Sequence, residues 1–199
     1  MKEMGHQEHV LAHAKEIQGW MSDPELLWLA EQAASRETII EVGSWKGRST
    51  KALVYSCKGR ILAVDHWNGN HGNKVTQDEI HARGKDAIYF DFCKNLEREI
   101  VSGQVVPFRS DSRTAALALA AFFRGFGFKG ADMVFIDAGH EKDDVLGDIK
   151  AYRELLAPGG LLCGHDYEPG WPGVVSAVNQ AIPPEKLCKM VNGSIWFER

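Results

Sequence analysis

The sequence predicts an α/β fold: an open, mostly parallel seven-stranded sheet with helices on both faces and an antiparallel C-terminal hairpin. Three observations carry this. From residue 38 onward short apolar runs alternate with amphipathic stretches, the pattern of a parallel sheet covered on both sides. Asn192-Gly193 between two such runs is a strong hairpin signal. Residues 132–167, DMVFIDAGHEKDDVLGDIKAYRELLAPGGLLCGHDY, read as strand, helix, strand, and each strand ends in titratable residues: Asp137 with His140, then His165 with Asp166. Neighbouring parallel strands joined by a helix bring their C-terminal ends together, where ligands of open α/β sheets bind.

The elements follow in order. Two helical pieces occupy the first 35 or so residues, the second opened by Ser22-Asp23-Pro24-Glu25, with a cap and a first-turn proline. A strand at Thr38 to Val42 leads through the loop Gly43 to Ser49 into a helix ending near Cys57. A second strand runs Ile61 to Asp65. Residues His66 to Thr76 lack a hydrophobic period and read as a long polar loop. Gln77 to Val101 is broadly helical with a break near Gly84, Val105 to Phe108 is a third strand, and Ser112 to Phe123 an Ala-rich helix. In the helix between strands four and five, Val145, Ile149, Tyr152 and Leu156 recur at helical spacing, which leaves Asp143, Asp144 and Asp148 on the wet face. A short helix spans Trp171 to Ala181, and Lys186 to Val191 pairs with Ser194 to Glu198. With no repeat or linker, the expectation is one domain over 1–199, with residues 1–36 as a helical extension.

Composition narrows the classes. The 199 residues are 44% hydrophobic and 25% charged, ordinary for a soluble globular protein. A net charge of −4 without a clustered basic face argues against nucleic acid. Cys57, Cys93, Cys163 and Cys188 show no CxxC spacing, so they are expected to be reduced thiols. The longest apolar run, Ala115 to Phe123, is too short for a bilayer, and no signal-peptide core opens the chain. A cytoplasmic protein with a small-molecule substrate and no membrane partner is expected, the N-terminal helices being a plausible element of a homo-oligomer.

The loop after the first strand reads IIEVGSWKGRST. Its glycines, Gly43 and Gly47, stand four apart, unlike the G-x-G-x-x-G that seats a pyrophosphate, and no GK[ST] follows. Asp65 ends the second strand about 20 residues on, where an acid accepts from ribose hydroxyls. Ser110-Asp111-Ser112 after the third strand offers an acceptor for an exocyclic amino group. Together these describe a nucleoside without phosphates, and S-adenosylmethionine is the common cofactor of that shape.

On EVGSWKGRST, AVDHW and IDAGH…DI…LLAPGGLLCGHDY, the chain resembles class I S-adenosylmethionine-dependent methyltransferases of Rossmann-like fold, and more narrowly the macrocin- and mycinamicin-type O-methyltransferase and CmcI-like group. The resemblance spans about 37–197. It implies that Glu41, Gly43 and Gly47, with Ser44 and Ser49 of the same loop, serve the cofactor. It further implies that Asp65 holds the ribose, His66 lies beside the adenine, and Asp111, with Ser110, faces its amino group. Asp137 would touch the cofactor and be a first metal ligand, with Asp166 another. Metal-dependent relatives carry a carboxylate before the latter position; here it is His165.

The chemistry that this resemblance implies at the rim is transfer of a methyl group to a hydroxyl of a sugar, diol or catechol-like molecule. A divalent ion would acidify the hydroxyl, or a histidine would take its proton. Asp137 and Asp166 are the expected holders of magnesium or manganese. His165 is the added candidate ligand, one that tilts selectivity away from magnesium. His140 is the candidate base. Trp45, Trp67 and Trp171 fall on the same edge and either stack on an acceptor or pack under their loops. Lys46 and Arg48 suit an anionic group; His6, His9 and His13 read as a wet helical face, and His71 and His81 have no assigned role. Two other functions stay open: a nicotinamide-dependent oxidoreductase, disfavoured by the glycine spacing, and a non-catalytic binding module of methyltransferase fold.

Overall fold

A computed structural model describes residues 5–69 and 74–199. The chain starts with α1 (His6–Ala14) and α2 (Asp23–Ala33), then alternates: β1 (Thr38–Val42), α3 (Arg48–Val54), β2 (Arg60–Asp65), α4 (Lys74–Arg83), α5 (Ala87–Asn95), α6 (Glu97–Val101) and β3 (Val105–Arg109). It continues with α7 (Ser112–Phe126), β4 (Ala131–Ile136), α8 (Lys142–Arg153), β5 (Leu156–Gly164), α9 (Pro172–Ala181), β6 (Leu187–Lys189) and β7 (Trp196–Glu198). These strands form one seven-stranded sheet in the order β3-β2-β1-β4-β5-β7-β6. The first five are parallel, and β7 is antiparallel to both of its neighbours.

Alternation along the strands builds two apolar layers. Ile39, Ile61 and Met133 point into the layer under α1, α2, α3 and α5, with Leu26, Leu29, Leu53 and Phe92. Ile40, Leu62 and Val134 point to the other face, against Ala115, Leu119, Ile149, Tyr152 and Val178. Strand order turns around between β1 and β4, since β2 and β3 continue on one side and β5 on the other. That reversal opens a crevice at the carboxyl ends of β1 and β4. Gly43 and Asp137 flank it: Gly43 N–H donates to Val64 O and Asp137 N–H to Val42 O.

Three sequence expectations are corrected. The stretch Gln77 to Val101 is three helices, and α4 begins at Lys74, within the expected polar loop; residues 70–73 of that loop, with His71, lie outside the described residues. The hairpin strands shorten to Leu187–Lys189 and Trp196–Glu198. Asp148 does not stay wet: it is 3% exposed, because Ser112 at the start of α7 closes over it and donates to its carboxylate. Among the described residues no helix is long and apolar enough to cross a membrane, and all four cysteines are free.

Candidate active site

The crevice is a cavity of about 870 Å³ lined by the ends of β1, β2, β4 and β5 and by the loop between α1 and α2. Gly43, Ser44, Ser49, Asp65, His66, Ser110, Asp111, Asp137, His140, His165 and Asp166 all reach its wall, so residues scattered over more than 120 positions meet in one place. Glu41 and Gly47 do not. Glu41 is fully buried beneath the loop, accepting from the Thr50 hydroxyl, and burial pushes its carboxyl up to about 7 against the pull of the Ser49, Thr50 and Ser44 hydroxyls. Gly47 has φ +92° and caps α3, with its Cα turned toward Leu96 and Phe92.

Gly43 has φ +91°, and a Cβ there would run into the carbonyl of Asp137. Only glycine lets β1 and β4 end this close together. Asp65 serves two loops at once: its oxygens accept from the backbone N–H of Trp45 at 2.9 Å and of Trp67 at 2.6 Å. Burial raises its carboxyl and these amides oppose the rise. Trp45 and Trp67 are both left-handed, at φ 42° and 52°, a conformation that non-glycine residues adopt when surroundings hold them there. Trp67 is buried and packs on Tyr89 and Phe92; its indole donates to Trp45 O, and Trp20 stacks on the Trp45 ring. His66 accepts from Asn68 N–H through Nδ1. Asp111 caps α7, accepting from Thr114 N–H, and that bond lowers its carboxyl.

On the far side stands a chain of ionisable groups. His140 Nε2 lies 2.9 Å from Asp166 Oδ2, and its ring stacks on Trp171 at 3.9 Å between centroids. Asp166 is itself left-handed, at φ 62°. Burial pushes its carboxyl up, but hydrogen bonds from His140 and His165 and their charge prevail and hold it at about 2. An ionised carboxylate only accepts, so Nε2 of His140 carries a proton toward Asp166. His165 is 9% exposed; Nδ1 is 3.2 Å from Asp166 Oδ1 and 3.7 Å from Asp137 Oδ1, and Nε2 is 3.2 Å from Glu25 Oε1. Burial opposes its charge, yet Asp137 foremost, with Asp166 and Glu25, raises it to about 12.

Glu25 is the residue sequence reasoning missed. It starts α2 and takes the Ser22 N–H and hydroxyl on one oxygen, and the Ser194 N–H and hydroxyl on the other. Ser22 and Glu25 form a capping box at the start of α2, but nothing local in the sequence points to His165 or Ser194. Lys46, expected to meet an anion, is turned away into Gln18, Glu79 and Asp91. Arg48 stays on the cavity wall; Nη1 donates to Gly19 O at 2.6 Å, while the buried Nε has no partner among the described residues. His9 and His13 stack on the exposed face of α1, and His6 meets Ser56. Among the described residues, Asp137, His140 and Asp166 can bring one ligand atom each within 4.8 Å of the others; His165 is outside that group.

Residues 40–167 match the family described as methyltransferase domain. No curated protein matches the chain. Among solved structures, a putative O-methyltransferase from Klebsiella pneumoniae superposes with a TM-score of 0.62 at 16% identity, over 99% of this chain and 89% of that one. The O-methyltransferase from Bacillus cereus in complex with SAH gives 0.58 at 17%, over 100% and 92%. TomG from Streptomyces achromogenes, involved in tomaymycin synthesis and in complex with SAM, gives 0.59 at 17%, over 98% and 88%. At such identities these structures establish the fold, whereas the family match covers well over half of the sequence. The chain therefore belongs to the methyltransferase-domain family.

Proposed function

We propose that this protein transfers a methyl group from S-adenosylmethionine to a hydroxyl of a small molecule, a sugar, diol or catechol. The observation that carries this is the His140–Asp166 pair, 2.9 Å apart and open to the cavity. Asp166 fixes the His140 tautomer, and Nδ1 is left to take the proton of an acceptor hydroxyl. The Trp171 ring, 37% exposed and stacked on His140, gives that acceptor a flat apolar face.

The cofactor fits the other half of the cavity. The volume lies within the range for sites that enclose a ligand of this size. The unpartnered Nε of Arg48 suits its carboxylate, and Asp65, Ser110 and Asp111 line the wall where a nucleoside would lie. When bound, S-adenosylmethionine supplies a methyl group on a sulfonium, whose carbon–sulfur bond breaks as the acceptor oxygen attacks. The protein's part is alignment, exclusion of water and removal of one proton.

The metal expected from the resemblance fits these residues poorly. His140 could join Asp137 and Asp166 around an ion, and doing so through Nε2 would cost its bond to Asp166. The ion would also share both carboxylates with the charged ring of His165. Neighbours such as calicheamicin methyltransferase CalS11, which matches at a TM-score of 0.58 and 15% identity over 87% of this chain, lend the small-molecule reading support through fold.

Calorimetry with S-adenosylhomocysteine tests the cofactor half: micromolar binding is expected, and no heat at millimolar ligand contradicts it. Release of labelled methyl product from a panel of diols, sugars and catechols tests the acceptor half.

A further inference from the structure

We propose that Asp148 of α8 selects adenine at the nucleoside end of the cavity, its carboxylate accepting from the exocyclic amino group, a duty that the resemblance gives to Asp111. The inference rests on the reading of this cavity as the S-adenosylmethionine site.

Asp111 is already engaged. It stands exposed at the start of α7, where Oδ1 accepts from Thr114 N–H at 2.9 Å. Its lowered carboxyl has the same origin: the Thr114 amide and hydroxyl prevail over desolvation, with help from the Arg113 amide. A carboxylate bound to a helix end and open to water gains little from one further donor.

Asp148 is placed otherwise. It lines the cavity together with Ser110, Asp111, Ser112 and Arg113, yet is 3% exposed. Oδ1 takes the Ser112 hydroxyl at 2.6 Å, and Oδ2 has no hydrogen-bond partner among the described residues. Burial, with the charges of Asp144 and Asp111, pushes this carboxyl up to about 6 against the Ser112 hydroxyl and the charge of Arg113. At neutral pH it is ionised and can only accept. A buried carboxylate with a single partner is costly, and sequences break such local rules at functional sites. The adenine amino group brings the missing donor.

The surroundings hold the acceptor still. Tyr152, one turn further along α8 and fully buried, donates to Ser112 O at 2.8 Å, so α8 grips Ser112 by both its hydroxyl and its carbonyl. Arg113 lies across Gly147, where a Cβ would come within 3.0 Å of Nη2, and the same Nη2 is 3.7 Å from Asp144 Oδ1. On the other side the Ser110 N–H donates to Asp65 O at 3.0 Å, which ties this wall to the residue placed for the ribose. A buried site built for a donor rejects a ligand that brings an acceptor, because the carboxylate is left unpaired and faces a second oxygen.

The test is calorimetric titration of the full-length chain with S-adenosylhomocysteine and with S-inosylhomocysteine, in which a carbonyl oxygen replaces the amino group. The wild type is expected to prefer the adenosyl ligand by at least about thirtyfold. Asp148→Asn keeps an oxygen for Ser112 and offers an amide that donates to the carbonyl, so the preference should fall at least about tenfold. Asp111→Asn, whatever it does to overall affinity, should keep the preference within about threefold of wild type. Equal wild-type affinity for the two ligands overturns the proposal; so does a folded Asp148→Asn chain that retains the preference, or an Asp111→Asn chain that loses it. The wild-type and Asp111→Asn measurements decide the matter if Asp148→Asn does not fold. No heat from S-adenosylhomocysteine with wild type contradicts the methyl-transfer reading itself, whereas binding with an unaltered preference contradicts the role of Asp148 alone.

Discussion

Glu25 Oε1 lies 3.2 Å from His165 Nε2, across 140 positions of the chain, and this one bond joins the N-terminal helical extension to the floor of the crevice. Burial works against ionisation of Glu25, but His165, the Ser194 and Ser22 amides and the Ser22 hydroxyl prevail and hold its carboxyl well below the usual range. Breaking one partner out of a buried ion pair typically costs about 3–5 kcal/mol. Glu25→Gln is therefore expected to lower stability by about 3 kcal/mol in urea unfolding. A loss under about 1 kcal/mol would show the tie to be idle.

Glu41 gives a pH signature. Its carboxyl is raised by burial from 4.5 to about 7. A raised folded-state value means that its contribution to stability is whole below about 4.5 and is lost as pH rises through about 7. At ~1.36 kcal/mol per pH unit the loss is roughly 3 kcal/mol. Glu41→Gln should unfold later than wild type at pH 8.5 and gain far less at pH 5; thermal melts at the two values decide it, and equal gains at both would refute the assignment.

The succession of strands and helices, the boundaries of β1 and the convergence of Asp137, His140, His165 and Asp166 were legible in the sequence, because strand period and βαβ handedness place strand ends without knowledge of side chains. What was not legible depended on partners brought by tertiary contact. Asp148 sits on a helix face whose period marks it as wet, and becomes buried only when Ser112 of α7 meets it. Lys46 looks free beside a helix start until α4 and α5 supply Glu79 and Asp91. Glu25 of α2 and His165 after β5 reach each other only in the folded chain.

His140 and Asp166 act as a pair in the proposed mechanism, so their loss should be non-additive. His140→Ala is expected to reduce kcat by about 100- to 10,000-fold, the usual share of a general base. Asp166→Asn should fall in the same range, and the double variant scarcely further. S-adenosylhomocysteine affinity should stay within about threefold of wild type throughout, as these residues face the acceptor. Additive losses in single-turnover rates would separate their roles.

Trp171 stacks on His140, lines the cavity and is part-exposed. Trp171→Ala is expected to raise the acceptor KM by about three- to tenfold, the worth of one aromatic contact, with little change in cofactor binding. Steady-state kinetics at saturating S-adenosylmethionine measure both; an unchanged KM would move the acceptor to another wall of the cavity.

The pairing of His140 with Asp166 at the mouth of a cofactor-sized cavity is the centre of this account. Its most direct test is transfer of a labelled methyl group from S-adenosylmethionine to hydroxyl acceptors, with wild type and His140→Ala assayed side by side. The predicted result is an O-methylated product from wild type and a rate at least about 100-fold lower from the variant. Equal rates from the two chains would contradict the account.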